Sequence, residues 1–574
     1  MENQEIAKIF SEIAQYLYMK DVDFKPRAYE KAAAYIDSLS RDLRDIYEKE
    51  GREGLVELPT IGESIASQII EYFRNGSIKG HQKLKEEIPV DIRGLTSIEG
   101  VGPKTVRRLY KELGVKDIKD LREAAEKNKI RELEGFGEKS EENILKEIGF
   151  YEEHQQRFLL GNILPKAELI KNKINNQTVV KKAVLAGSIR RREPTVGDVD
   201  ILITSSNPEK AMDFFVSLPE VARVIGKGST KSSIRTTENI DIDLRVVPEK
   251  SFGAAWQYFT GSRQHNIALR KIAIQQGMKL NEYGLFKGRK FMAGKTEESI
   301  YKKLGLQTPP PEIRRNQGEI EAAQKKNLPV LIKNEDLQGG LHCHTKWSDG
   351  LHSIREMAIT ARDKFGHQYL AITDHTKSLG IANGLDEEEL LKQMKRIDQL
   401  NEEIEGITIL KGCEANILKK GDIDVEEEVL NKLDIVVAGV HNHHHLDKKE
   451  MTKRILKAVQ NPFVDIITHP TGRIIQRRDP YPVDWEKIFK EAVKSGTIFE
   501  INSSPDRLDF KSDYIRQAIK KGLKLSIGTD AHQVDSLSWY RFGINQARRG
   551  WATKKDIINT KSYSNLMSFL NNLH

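Results

Sequence analysis

The stretch Ala186–Thr204, AGSIRRREPTVGDVDILIT, decides how the middle of this 574-residue chain is read. It joins the end of one short apolar run, KKAVLAG (181–187), to another, DVDILIT (198–204). Runs of this length, bounded by glycine and charge, read as strands. Gly187 and Ser188 close the first strand and can turn the backbone toward a phosphate, and Gly197 permits a second close approach. Asp198 and Asp200 are two residues apart on a strand, so their carboxylates share a face. Such a pair repels unless a cation lies between, and Mg²⁺ or Mn²⁺ suits an all-oxygen site that also accepts phosphate oxygens. A further strand, IDIDLRVV (240–247), offers Asp241 and Asp243 on one face, and one of them could complete the site. The run Arg190-Arg191-Arg192 adds positive charge within the same stretch.

Downstream, from 339 to 574, short apolar strands alternate with helical stretches, which argues for an α/β fold of βα units. Seven strands end in residues that ligate metals: LHCH at His342 and His344 with Asp349 beyond, YLAITDH at His375, ITILKGCE at Glu414, DIVVAGVH at His441, VDIITH at His469, TIFEIN near Glu500 and Asn502, and KLSIGTDAH at Asp530 and His532. In barrels of βα units, strand C-termini meet at one mouth. Nine ligands, His342, His344, Asp349, His375, Glu414, His441, His469, Asp530 and His532, exceed the needs of one ion. The pattern predicts a cluster of two or three Mn²⁺, Zn²⁺ or Fe ions that hydrolyses a phosphate ester. Lys346, Arg473 and Arg507 are candidate phosphate contacts, and His443, His444 and His445 read as loop surface. Between the two regions, TPPPEIRRNQGEIEAAQKKN (308–327) is proline-bearing and charged and reads as a surface linker.

Upstream, residues 1–150 read as helical, with 3.6-residue periodicity in EIAKIFSEIAQYLYM and RAYEKAAAYIDSL. One pattern recurs three times: LPTIGESIASQI (58–69), IEGVGPKTVRRL (98–109) and LEGFGEKSEENI (133–144). Each is an apolar turn with glycine followed at once by a helix, whose free N–H groups suit a phosphate. Gly62, Gly100, Gly102, Gly135 and Gly137 would let a phosphate-bearing ligand approach, with Lys104 and Lys139 beside it; Thr60 takes the earlier glycine position of the first copy. These turns resemble helix-hairpin-helix elements, and the resemblance implies that they hold the DNA backbone without reading its sequence.

A net charge of +8 and pI near 9.0 agree with a nucleic-acid partner without requiring one. Cys343 and Cys413 are the two cysteines; so few argue against a secreted disulfide framework and make the cytoplasm the expectation, and both read as packing residues. No apolar run is long enough for a transmembrane helix, and the N-terminus lacks the signature of a secretory signal.

GSIRRREPTVGDVD, IDIDLRVVP and YFTGSRQHNIALRKIAIQQGMKLNEYGLF together resemble a family X DNA polymerase over residues 1–315. The resemblance implies two-metal nucleotidyl transfer by Asp198, Asp200 and Asp243, with Asp243 preferred over Asp241 by register and activating the primer 3′-hydroxyl. It places Ser188, Arg191 and Gly197 at the triphosphate, Tyr258, Phe259 and Gly261 under the sugar, and Asn266 and Arg270 at the minor-groove edge of the nascent pair. Val196 stands where some members have a serine, and Gln68 where some carry a lyase lysine. The order HxH, SDG, TDH, E, GVH, THP, TDAH resembles a polymerase-and-histidinol-phosphatase (PHP) domain.

The whole then resembles the bacterial and archaeal type of family X polymerase, a monomer acting on gapped or primed DNA and dNTPs in repair. Its PHP domain would be a 3′→5′ exonuclease that also cleaves abasic sites or cleans 3′ ends. The implied layout is a helical DNA-binding domain (1–80), a helix-hairpin-helix subdomain (81–150), a mixed α+β nucleotidyltransferase palm (151–250), a nucleotide-selection subdomain (251–315), a linker (316–338) and a distorted seven-stranded β/α barrel (339–574).

Overall fold

The computed structural model describes residues 2–22, 24–38, 43–58, 60–96, 98, 100–155 and 157–572. Pro59 and Glu99, within the first two turn motifs, lie outside the described residues. The chain forms two compact units, Met1–Gln156 and Arg157–His574.

The first unit is helical throughout its described residues. Apolar stripes close two cores, one around Ile6, Phe10, Ile36 and Ile69, the other around Leu95, Val106, Leu109 and Leu121. The three turn motifs share one backbone shape. Thr60, Gly100 and Gly135 are left-handed, and Gly62 and Gly102 are extended residues that start the helices Glu63–Asn75 and Pro103–Leu113. The intervening Ile61 and Val101 are buried and pin each turn to its core. A Cβ on Gly62, Gly100, Gly102 or Gly137 would meet no atom within 4 Å, so these faces are open to a ligand. No side chain caps the Glu63 and Pro103 helix starts, whose N–H groups remain available.

The second unit begins with a five-stranded sheet. Its strands are β1 (Val180–Leu185), β2 (Asp198–Ser205), β3 (Val221–Lys227), β4 (Lys231–Thr236) and β5 (Asp241–Val246), in the order β1-β2-β5-β4-β3. β2 and β5 are parallel; the other neighbours are antiparallel. The helix Leu160–Asn175 and the helix Pro208–Val216 cover one face through Ile163, Ile170, Met212 and Phe215. The helices Phe252–Thr260 and Arg263–Gln275 and a three-stranded meander follow, sharing a core of Leu269, Leu280, Leu285 and Ile300.

Seven parallel strands then form the barrel in sequential order: β6 (Gly339–Gly340), β7 (Tyr369–Ile372), β8 (Thr408–Asn416), β9 (Ile435–Gly439), β10 (Ile466–Ile467), β11 (Ile498–Asn502) and β12 (Leu525–Gly528). A bridge between Cys343 and Ala531, with His344 N donating to Ala531 O at 2.8 Å, joins the first strand to the last just beyond their ends. Both cysteines are buried.

The segment between palm and barrel differs from the surface linker expected of 308–327 and 316–338. Ile313, Ile320, Ala323 and Ile332 are buried, and Glu319–Gln324 is a short helix. Two of the charged residues that suggested exposure are satisfied inside. Arg314 meets Glu297 at 2.5 Å, and Glu319 accepts from Asn316 N and Gln317 N and meets His265 Nδ1 at 2.7 Å. Composition reads charge as solvent exposure, and here Arg314 and Glu319 have buried partners, while Glu321, Lys325 and Lys326 do stay exposed.

Candidate metal centres

β2 and β5 pair in register, Asp198 opposite Asp241 and Asp200 opposite Asp243. Period-two alternation turns all four carboxylates to one face at the strand starts. Burial, then repulsion from Asp198 and Asp243, pushes Asp200 up to about 7. Several acids that oppose one another's ionisation fit a divalent cation.

Neighbours separate the two acids of β5. Asp241 is held by Arg235, whose Nε and Nη2 lie 2.8 and 3.1 Å from its two oxygens. Asp243 accepts from Ser233 Oγ at 2.6 Å and meets Lys231 Nζ at 2.6 Å.

The turn before β2 is tightly built. Gly187 is left-handed at φ +60, and a Cβ there would lie 2.5 Å from Asp200 Oδ2, so only glycine fits. Arg157 donates from Nε to Thr195 Oγ1 at 2.8 Å and from Nη2 to Thr195 O at 2.6 Å, beside Gly197. Arg191 donates to Thr260 O at the end of the helix that carries Tyr258 and Phe259. Asn266 Nδ2 donates to Tyr258 O at 2.7 Å, and Arg270 Nε to Asn266 O at 3.3 Å. Ser188 lies in the short helix Gly187–Arg190 and Gly197 in the bend directly before Asp198.

In the barrel, the nine predicted ligands converge. One group gathers His344, Asp349, His375 and His532, a second His342, His344, Glu414 and Asp530, and a third His375, Glu414 and His441. Each pair of groups shares one residue, His344, His375 or Glu414, so the three overlap in one continuous set of donors that could bind metal. His469 joins through Nε2, 2.9 Å from Glu414 Oε1. The donors fit metal better than they fit one another. Nε2 of His342 and Nε2 of His344 face each other at 3.2 Å, and the buried His344 Nδ1, His469 Nδ1 and Glu414 Oε2 lack hydrogen-bond partners. Burial and then His375 push His344 down to about 4, keeping its imidazole neutral as a ligand must be.

Residues around the ligands fix their orientation, and several were not singled out from sequence. Glu500 lies 2.6 Å from His342 Nδ1 and accepts from His469 N, and Asn416 Oδ1 lies 2.7 Å from His441 Nδ1. Asp374 accepts from Thr345 N, Thr345 Oγ1, Ser348 Oγ and Gln393 Nε2, locking the loop that carries His344 and Asp349. Their signal was position alone: the Asp of TDH and the Glu of FEIN are ligand residue types at strand ends.

The three candidate phosphate contacts divide. Arg473 is buried and donates to the carbonyls of Arg507 and Leu508, so it belongs to the packing. Arg507 Nε lies 3.8 Å from Asp530, and Lys346 is exposed. In the run 443–445 only His444 is partly covered, its ring stacked on Tyr481. Gln68 donates to Tyr29 Oη at 2.7 Å and presents no amine.

Fold and sites together define a two-centre enzyme of phosphoryl transfer, an acidic palm followed by a histidine-rich barrel. Residues 1–78 match a helix-hairpin-helix domain, 92–149 a SAM-like helix-hairpin-helix tandem, 255–315 a DNA polymerase beta thumb and 340–504 a PHP domain. The chain is 37% identical over 575 aligned residues to the DNA polymerase/3'-5' exonuclease PolX of Bacillus subtilis (strain 168), covering 99% of each. It therefore belongs to the family X DNA polymerases that carry helix-hairpin-helix and PHP domains. Over 38% of its length it is also 32% identical to a probable phosphatase of Thermoanaerobacter sp. (strain X514), covering 90% of that protein. Over 33% it is 34% identical to one of Caldanaerobacter subterraneus subsp. tengcongensis, covering 74%.

Proposed function

We propose that the palm fills short gaps in DNA by template-directed nucleotidyl transfer and that the barrel cluster removes nucleotides from 3′ ends. The observation that carries this reading is the facing of Asp200 and Asp243 across adjacent strands in the same chain as the nine-ligand cluster. The Bacillus subtilis relative, named for both activities, supports the pairing, and the probable phosphatases support phosphate-ester hydrolysis by the barrel.

Asp198 and Asp200 would hold the cation of the incoming triphosphate, and Asp243 would take the proton of the primer 3′-hydroxyl. A divalent cation bound there, Mg²⁺ or Mn²⁺, supplies the charge that offsets the transferring phosphate. Ser188, Arg191 and Gly197 would bind the triphosphate. Tyr258, Phe259 and Gly261 would lie under the sugar, with Asn266 and Arg270 at the minor-groove edge. In the barrel, His342, His344, Asp349, His375, Glu414, His441, His469, Asp530 and His532 would hold two or three Mn²⁺, Zn²⁺ or Fe ions, which would supply Lewis acidity toward the phosphate ester. The glycine turns, with Lys104 and Lys139, would hold the duplex by its backbone without reading sequence.

Parallel gap-filling and exonuclease assays on Asp200→Ala and His344→Ala test the assignment. Asp200→Ala should lose roughly a thousandfold in extension and keep its exonuclease, and His344→Ala the reverse. Loss of exonuclease in Asp200→Ala at saturating DNA would overturn the two-centre reading.

A further inference from the structure

The palm's Arg191 turn is held in part by the barrel domain. Arg549, at the end of the helix Tyr540–Arg549, is only 3% exposed. Its Nη1 donates to Arg191 O at 2.7 Å and its Nη2 to Glu193 Oε2 at 2.5 Å. Glu193 Oε1 in turn lies 3.5 Å from Arg191 Nε. One guanidinium thus grips both the backbone of Arg191 and the carboxylate beside its side chain.

The turn calls for such a grip. Arg192 is left-handed, with φ of 56°, a conformation that a residue bearing a long side chain keeps only when its surroundings hold it. Helix and turn are also firmly docked. Phe542, two turns earlier on the same helix, and Leu508 belong to the palm's own apolar core. Pro505 packs against Gly161 so closely that no Cβ would fit there.

We propose that Arg549 is a positioning residue for nucleotidyl transfer: the exonuclease domain sets the Arg191 turn that receives the incoming triphosphate. This rests on the reading of Arg191 as a triphosphate contact. An arginine suits the task because its planar fork reaches a carbonyl and a carboxylate at once, which a lysine ammonium on a flexible stem does less well.

The test is steady-state gap filling by the full-length metal-loaded enzyme, with exonuclease rate and melting temperature measured on the same preparations. Arg549→Ala should raise the dNTP KM about tenfold while kcat at saturating dNTP and the exonuclease rate stay within about threefold. Arg549→Lys should fall between, keeping the pairing with Glu193 and losing the second hydrogen bond. Phe542→Ala weakens the same docking without touching the turn and should lower the melting temperature with KM unchanged. Equal KM increases in Phe542→Ala and Arg549→Ala would overturn the proposal, because docking in general would then explain them. So would an unchanged KM in Arg549→Lys and Arg549→Ala, or an Arg549→Ala protein too unstable to assay together with an unchanged KM in Arg549→Lys. Arg191→Ala separates the two layers: if it leaves KM unchanged, the triphosphate reading itself fails.

Discussion

A neighbour decides whether a carboxylate is available. Asp241 and Asp243 share a face of β5, yet Arg235 engages both oxygens of Asp241, whereas Asp243 meets a serine and a partly exposed lysine. Asp243→Asn should therefore cost roughly a thousandfold in extension with little change in stability. Asp241→Asn should leave the rate within tenfold and cost about 1–3 kcal/mol in denaturant unfolding. Comparable rate losses in both would put the two acids in one catalytic role.

A second effect at this scale concerns His367, 3% exposed between Phe365 and Tyr540. Burial pushes it down to about 4. Its folded value lies below the unfolded value of about 6.5, so between those pH values the unfolded chain binds more protons. The contribution is whole above about pH 6.5 and is lost as pH falls toward 4, an effect of about 3 kcal/mol. His367→Gln should flatten the acid side of the stability profile in urea titrations at pH 7.5 and 5. An unchanged slope would mean that another group sets it.

Among the elements, the stretch between palm and barrel carries the most unexpected chemistry. Glu297 accepts from Arg190, on the turn before β2, at 2.5 Å and from Arg314 at 2.5 Å, with Arg314 1% exposed. Against the opposing effect of burial, Arg314 and Arg190 hold Glu297 down to about 2. Glu297→Gln leaves two buried guanidinium groups without their shared counter-charge and should cost about 3–5 kcal/mol in denaturant unfolding. A loss under about 1 kcal/mol would show that the arginines find other acceptors.

These elements also show what sequence could and could not disclose. Strand periodicity was enough to put Asp198 and Asp200 on one face, and strand endings were enough to gather nine ligands at one mouth, because both are local rules. The docking of 308–338 was invisible, since Arg314 and Glu319 look like solvent charges until their partners are known. Arg235 is five residues from Ile240 in sequence, but nothing in that spacing says it will cross to Asp241 rather than Asp243. Arg549 meets a turn some 350 residues earlier, beyond the reach of any spacing rule.

At the scale of the molecule, palm and barrel share one apolar cluster through Leu508 and Phe542 and lie within one compact unit. Calorimetry should then give one transition for residues 157–574. Ions that bind only the folded barrel stabilise it by mass action, so chelation should lower the temperature of that joint transition by several degrees. Two separate transitions in this region, only one of them sensitive to chelator, would show that the domains unfold independently.

The ligand set runs from His342, just past the first barrel strand, to His532, just past the last. A ribosome must release almost the whole polypeptide before Asp530 and His532 can join the others. A chain that stops between residues 250 and 529 therefore lacks candidate ligands in at least two of the three groups, and without Phe542 and Arg549 its palm also loses part of its apolar core and the grip on the Arg191 turn. Both sites thus wait on the same late-made stretch, residues 530–549, before they are complete.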